Sequence, residues 1–236
     1  MNWQESDAVL FDLDGVLTPT ADVHMHAWEQ MFTDFLSARG ERPYETGDYF
    51  AYIDGKPRYD GVRSFLQSRS IDLPEGEPSD AVDRETVCGL GNRKDELFSV
   101  ILAEEGVEPY PGSVRYLDEL AERRTKVAVV SSSRNAPAVL AAAGIADRFE
   151  VVVDGRVAAE QHLHGKPSPE TFQFAARQLG SDSAHSVVVE DALSGVAAGK
   201  DGAFGLVIGV DRGAGADALR DAGADIVVSD LGELIQ

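Results

Sequence analysis

The stretch AVLFDLDGVLTPT, residues 8–20, decides the fold of this chain. Ala8 to Phe11 run without a polar break and then stop at Asp12 and Asp14, one residue apart. A short, continuously apolar run reads as a strand buried on both faces, as in parallel sheets covered by helices. Two carboxylates so close together repel, and no basic residue stands beside them. Something must therefore make the pair worthwhile.

The same punctuation recurs in KVAVVS (126–131), EVVV (150–153), SVVVE (186–190), GLVIGV (205–210) and ADIVVS (224–229). Each run leads through a polar or glycine-rich turn into a helix-like segment, which predicts an α/β parallel sheet with helices on both faces. In SPETFQFAARQLG, Phe172, Ala175, Ala176 and Leu179 share a face, with Pro169 near the first turn and Gly180 at the stop. NAPAVLAAAGI, DALSGVAAGKDG and ADALRDAGA read likewise. From 21 to 107 the rhythm changes to helical patterns, HAWEQMFTDFLSARG, GVRSFLQSRS and RKDELFSVILAEEG, with LPEGEPSD (73–80) as a polar loop. The expected organisation is a core domain of residues 1–20 and 108–236 with a helical domain, 21–107, inserted after the first strand. The proline-rich VEPYPGSV (107–114) forms a stiff return. An insert at that point suits a lid.

Composition narrows the partners. The 236 residues carry 41 acidic and 21 basic side chains, a formal charge of −20, which argues against nucleic acid or an anionic membrane and favours a cation. Cys88, the single cysteine, cannot form a disulfide within the chain and reads as a small packed hydrophobe, which suits a reducing compartment. The start, MNWQESDAVLFDLDG, is acidic, and no run approaches the roughly 18 apolar residues of a membrane span. A cytoplasmic, membrane-free protein is expected.

In an open parallel sheet, ligands bind at the carboxyl ends of the strands. Asp12 follows the first strand at that end, and Asp14 faces the same side if the chain stays extended. SVVVED brings Glu190 and Asp191 to the same edge, where a hard divalent cation such as Mg2+ relieves the repulsion by taking oxygen ligands. VVSSSRN (129–135) supplies hydroxyls and N–H groups for phosphate oxygens, and Lys166 in HGKPSPE supplies a point charge. Together they describe phosphoryl transfer through a covalent aspartyl-phosphate. Singly, each fragment also reads as an ordinary loop or surface feature; the specific signal is that each directly follows an apolar strand.

These residues resemble the haloacid dehalogenase (HAD) superfamily, with DLDGVLT (12–18) as its first motif, Ser131 as the second, Lys166 in GKPSP as the third and Glu190-Asp191 as the fourth. The resemblance spans nearly the whole chain. It implies a Rossmann-like parallel-sheet core, the HAD fold, with the insert as an α-helical cap domain. Within the superfamily the chain is similar to the β-phosphoglucomutase subgroup. DLDGVLTPTADVHMHAW (12–28) carries that subgroup's Thr20, His24 and Trp28, and SSSRN matches its phosphate-binding turn, with Arg134 replacing a usual lysine and Asn135 retained beside Ser132.

The resemblance implies that Asp12 is the phosphorylated nucleophile and Asp14 the general acid/base. It places Mg2+ on Asp12, the Asp14 carbonyl and Asp191, with Glu190 as ligand or supporting partner, and the transferring phosphoryl group on Ser131 and Lys166. In DGKPRYDGVRSFL (54–66), Gly55 and Arg58 resemble the cap loop that grips a sugar's second phosphate, and Lys94 stands where a second cap lysine falls. Lys56, Arg58 and Arg63 also read as an exposed basic face, His24 as a hinge-packing residue, and His162 and His164 as surface residues flanking Lys166. Asp54, where a lysine is often found, and Gly61, where a serine is, depart from the subgroup and leave the sugar and the mutase step open.

The implied protein is a monomeric Mg2+-dependent phosphotransferase acting on a small phosphorylated sugar. It would interconvert β-glucose 1-phosphate and glucose 6-phosphate through a bisphosphate. The alternatives are a phosphatase of the same fold, a receiver-type phospho-acceptor module, and an inactive sugar-phosphate binder. A receiver module spans about 120 residues without a cap and carries its acceptor Asp on a later strand.

Overall fold

The computed structural model describes residues 5–235. Six strands form one parallel sheet: β1 (Ala8–Phe11), β2 (Lys126–Val130), β3 (Val151–Val153), β4 (Ser186–Glu190), β5 (Leu206–Val210) and β6 (Ile226–Val228). Their order is β3-β2-β1-β4-β5-β6, so chain direction across the sheet reverses between β1 and β4. Such a switch point opens a crevice at the strands' carboxyl ends, the usual ligand site of a doubly wound sheet. In register, Phe11 lies beside Val189, and Asp12 N–H donates to Val189 O at 2.9 Å. The two acidic strand ends are thereby held side by side.

By contact, the chain divides into two compact units, residues 1–19 with 107–236, and residues 20–106. The first unit holds the sheet with α5 (Pro111–Arg123), α6 (Ala136–Ala142), α7 (Gly155–Glu160), α8 (Glu170–Gln178), α9 (Leu193–Asp201) and α10 (Ala216–Ala222). β1 and β4 are buried at every position because helices cover the sheet: α8 packs on β1 to β3, and α9 on β4 and β5. Phe172, Ala175 and Ala176, read as one face of α8, sit in this core with Leu10, Val130, Val188 and Val207. Each large apolar side chain so buried contributes about 1.5–3 kcal/mol.

The second unit holds α1 (Thr20–Ser37), α2 (Thr46–Tyr52), α3 (Arg58–Ser68) and α4 (Val87–Glu105). Trp28, Met31, Phe32, Phe35 and Leu36 recur at helical spacing along α1 and pack on Phe65, Leu66 and Leu90; the Phe32 and Phe65 ring centroids are 3.9 Å apart. Two outcomes differ from the sequence reading. A short helix, α2, stands where none is expected, and α4 begins at Val87, well before the RKDELF pattern. The cause of the second is Thr86, whose hydroxyl accepts the Gly89 N–H at 2.9 Å and caps the helix ahead of two glycines.

Candidate active site

The site in the first unit is built at the switch point. β1 ends at Phe11, and the next residues do not continue as an extended strand. They fold into a tight loop in which Leu17 and Thr18 N–H donate to Leu13 O, and Gly15 N–H donates to Thr18 O at 2.8 Å. Gly15 sits at φ +83°, a left-handed conformation that a Cβ would strain, and a Cβ there would lie 1.8 Å from Asp191 Oδ2. Glycine is therefore required twice, by the turn and by the carboxylate packed against it.

Asp12, 7 % exposed, is nearly enclosed. Lys166 Nζ donates to Asp12 Oδ1 at 2.5 Å, to Glu190 Oε1 at 2.5 Å and to Val130 O at 3.0 Å. Here the geometry differs from the expectation of an ammonium held ready for phosphate. All three N–H groups are already engaged, because a buried ammonium is costly unless every donor is satisfied. Burial would lower the Lys166 pKa, but Asp12 and Glu190 together more than offset it and hold the group above its ordinary value. For Asp12, burial pushes the carboxyl well above its usual range; Lys166 pulls it down, while Glu190 and Asp14 push it further up. One ammonium charge shared between two buried carboxylates leaves the cluster short of positive charge.

Carboxylate oxygens of Asp12, Glu190 and Asp191 lie within 4.8 Å of one another. Carboxylate oxygens so close together would suit a hard divalent cation such as Mg2+, which takes oxygen ligands. The donor set is all hard oxygen and the local charge is negative, so the residues fit a divalent cation. Glu190 also engages both oxygens, Oε1 with Lys166 and Oε2 with Ala192 N–H at 2.9 Å.

Ser131, at the end of β2, donates its hydroxyl to Asp14 Oδ2 at 3.4 Å and accepts Ser133 N–H at 3.1 Å. Ser131, Lys166, Asp12, Asp14, Glu190 and Asp191 are thus gathered at one edge. Ser132 and Asn135 are half-buried on the same turn, and Arg134 is exposed. The helix after this turn, α6, has only seven residues, so the turn's own hydroxyls and N–H groups are its main donors.

The remaining candidates lie in the second unit. Thr20 is buried at the start of α1 and Gly55 occupies a left-handed turn at φ +69°. Lys94 is buried, its Nζ against His24 Nδ1 and 4.7 Å from the Phe98 ring centroid. The His24 ring stacks on Phe98 at 4.1 Å. Arg58 is not part of an open basic face: Nη1 pairs with Asp95 Oδ2 at 2.6 Å, and Nη2 contacts Asn92 Oδ1 at 3.4 Å. Lys56 bonds Tyr52 O and Ser64, and Arg63 pairs with Asp60 and Glu75.

Sequence reasoning passed over Arg212. Its Nε donates to Gly15 O at 2.9 Å, its Nη1 to Ser229 O at 2.9 Å, and its guanidinium lies 3.8 Å from the Tyr110 ring centroid. The available signal was its position directly after the strand run GLVIGV, at the same sheet edge as the acids.

A switch-point aspartate paired to a buried lysine, with two further carboxylates at the end of the neighbouring strand, defines a phosphoryl-transfer class of α/β enzyme. Within that class the chain belongs to the haloacid dehalogenase-like hydrolases, whose family pattern matches residues 6–202. A β-phosphoglucomutase of Mycobacterium bovis is 49% identical over 239 residues, covering 97% of this chain and 91% of the relative. A β-phosphoglucomutase of Bacillus subtilis is 32% identical over 228 residues, covering 96% and 91%. The crystal structure of β-phosphoglucomutase from Clostridium difficile superposes with a TM-score of 0.78 at 24% identity, covering 97% of this chain and 93% of that one, and shares the fold. Among the described residues, no helix is long and apolar enough to cross a membrane.

Proposed function

We propose that this enzyme is a β-phosphoglucomutase, a cytoplasmic monomer moving a phosphoryl group between the 1- and 6-oxygens of glucose through β-glucose 1,6-bisphosphate. The observation that carries the chemistry is Asp12 at the switch point, paired to Lys166 beside Glu190 and Asp191. The sugar is inferred from the 49% identical relative.

An Asp12 carboxylate oxygen attacks the phosphorus of the bisphosphate, forming the aspartyl-phosphate as the sugar oxygen departs. Asp14 gives that oxygen its proton. In the return half-reaction Asp14 takes the proton from the accepting hydroxyl as it attacks the aspartyl-phosphate, restoring the Asp12 carboxylate and the protonated Asp14. Lys166 keeps Asp12 oriented and partly offsets its charge against the approaching phosphate. Ser131 and the turn of Ser132, Arg134 and Asn135 hold phosphoryl oxygens, while Arg58, with Gly55 and Lys94, takes the non-transferring phosphate and Thr20 and His24 line the sugar. Mg2+ held by Asp12, Asp191 and the Asp14 carbonyl, with Glu190 in support, supplies Lewis-acid neutralisation of the charge on the transferred group.

The test is a phosphorus NMR time course with Mg2+, β-glucose 1-phosphate and a trace of the 1,6-bisphosphate. Growth of glucose 6-phosphate, lost in Asp12→Asn, is the expected result. Accumulation of inorganic phosphate alone makes water the acceptor and replaces this reading with a phosphatase.

A further inference from the structure

We infer that Arg212 is a positioning residue for the acidic loop, acting through Gly15 on both Asp14 and Asp191. The inference rests on the reading of that loop as the cation and phosphoryl site.

The loop after β1 is tied down almost carbonyl by carbonyl. Leu13 O accepts from Leu17 and Thr18, Val16 O from the Ser113 hydroxyl at 2.7 Å, Leu17 O from Tyr110 N–H at 2.9 Å, and Thr18 O from Gly15 N–H. Gly15 O accepts from Arg212 Nε at 2.9 Å. In a trans peptide the C=O of one residue and the N–H of the next point in opposite directions. The Gly15 N–H bond therefore aims the Asp14 carbonyl, and the Arg212 bond fixes the following peptide plane. Between those planes stands the residue with the widest conformational freedom in the loop, and a charged donor is the stronger kind of restraint.

Asp191 enters through contact. Its carboxylate occupies the space a Gly15 side chain would fill, with Oδ2 1.8 Å from the ideal Cβ position. A swing of the Gly15 peptide thus displaces Asp191 as well as the Asp14 carbonyl. Arg212 is itself held from three sides, by Gly15 O, Ser229 O and the Tyr110 ring. A lysine reaches only one carbonyl from that position and lacks a plane to stack on Tyr110.

The experiment compares Arg212→Gln and Arg212→Lys with the wild type in two measurements that need no turnover. Calorimetric titration with MgCl2 should show affinity weakened about 10–100-fold in Arg212→Gln, the range for partners that orient ligands from outside the coordination sphere, with partial recovery in Arg212→Lys. Amide hydrogen exchange without metal should quicken at Gly15 and Leu17, while the β4 amides keep their protection. Wild-type affinity and wild-type exchange in Arg212→Gln overturn the inference. Should that variant not melt cooperatively, Arg212→Lys decides by the same readouts. Weakened affinity and faster loop exchange in an enzyme that turns over no sugar phosphate uphold the positioning role and sink the proposed substrate. Normal turnover and affinity in Arg212→Gln, beside an inactive Asp12→Asn, do the reverse.

Discussion

Lys166 carries one positive charge and faces Asp12 and Glu190, both buried, with Asp14 and Asp191 nearby. The shortage of positive charge has a measurable sign. With its carboxyl raised above the ordinary value, Asp12 keeps a proton in the native state that the unfolded chain has already released. Its contribution to stability therefore falls as pH climbs from the unfolded value through the folded one. A divalent cation removes that burden, but only from the ionised carboxylate, so binding competes with protons. At a free Mg2+ concentration about 100 times the dissociation constant, stabilisation reaches about 2.7 kcal/mol, a rise of about 5–10 °C in melting temperature. The increment should be larger at pH 7.5 than at pH 5 and absent in Asp12→Asn, as read by scanning calorimetry. An equal increment at both pH values would discard the charge argument. Asp12, Asp14, Glu190, Asp191 and Ser131 were legible because each closes or directly follows an apolar run that had to be a buried strand; Lys166 does not, since α7 separates it from β3, and only its GKPSP motif pointed to it. The engagement of Lys166 was not legible, since sequence order does not reveal that Glu190 and Val130 O reach the same ammonium.

At the scale of elements, glycines record where neighbours press on helices. Gly195 lies in the first turns of α9, where a Cβ would come within 1.8 Å of Glu190 Oε1 and 2.0 Å of its Cδ. Gly47, in α2, has nothing within 4 Å of its Cβ position. Alanine is the better helix former by about 1 kcal/mol, so the same substitution should act with opposite sign at the two sites. Gly47→Ala should stabilise by about 0.5–1 kcal/mol. Gly195→Ala should destabilise by about 1–3 kcal/mol through overpacking, and its displacement of Glu190 should also lower activity. Denaturant unfolding of both variants measures the contrast, and a gain at both positions would remove Glu190 as the constraint. The same physics limited what the sequence disclosed. The apolar strands and the longer amphipathic helices were legible from periodicity. The start of α4 was not, because Gly89 and Gly91, poor helix formers, interrupt its apolar pattern. They are sites of close approach, where a Cβ would meet Arg84 O at 2.2 Å and the Tyr59 ring at 2.6 Å. In α2, seven residues with Tyr49 as their one buried apolar side chain are too few to show a period.

For the whole molecule the governing quantity is charge. With 41 acidic and 21 basic side chains, no arrangement of ion pairs gives every carboxylate a basic partner of its own. The pairs that do form are mostly at the surface, such as Arg39 with Glu85 at 2.5 Å and Arg148 with Asp118 at 2.7 Å. Exposed pairs contribute about 0–1 kcal/mol each, whereas the unpaired excess repels across the whole compact state. Salt weakens both terms, and the balance decides the direction. Raising NaCl from about 0.01 M to about 0.1 M shortens the screening length from about 30 Å to about 10 Å. That range removes long-distance repulsion while leaving contacts of 3 Å largely intact. The melting temperature should therefore rise by a few degrees over that interval, in the wild type and in Asp12→Asn alike. Comparison with MgCl2 at matched ionic strength separates the two effects. The wild type should gain more from MgCl2 than from NaCl, and Asp12→Asn should lose that excess because its cluster no longer holds a third carboxylate. A melting temperature that falls with NaCl would mean that the surface pairs outweigh the net charge of −20, and the repulsion account would have to be abandoned.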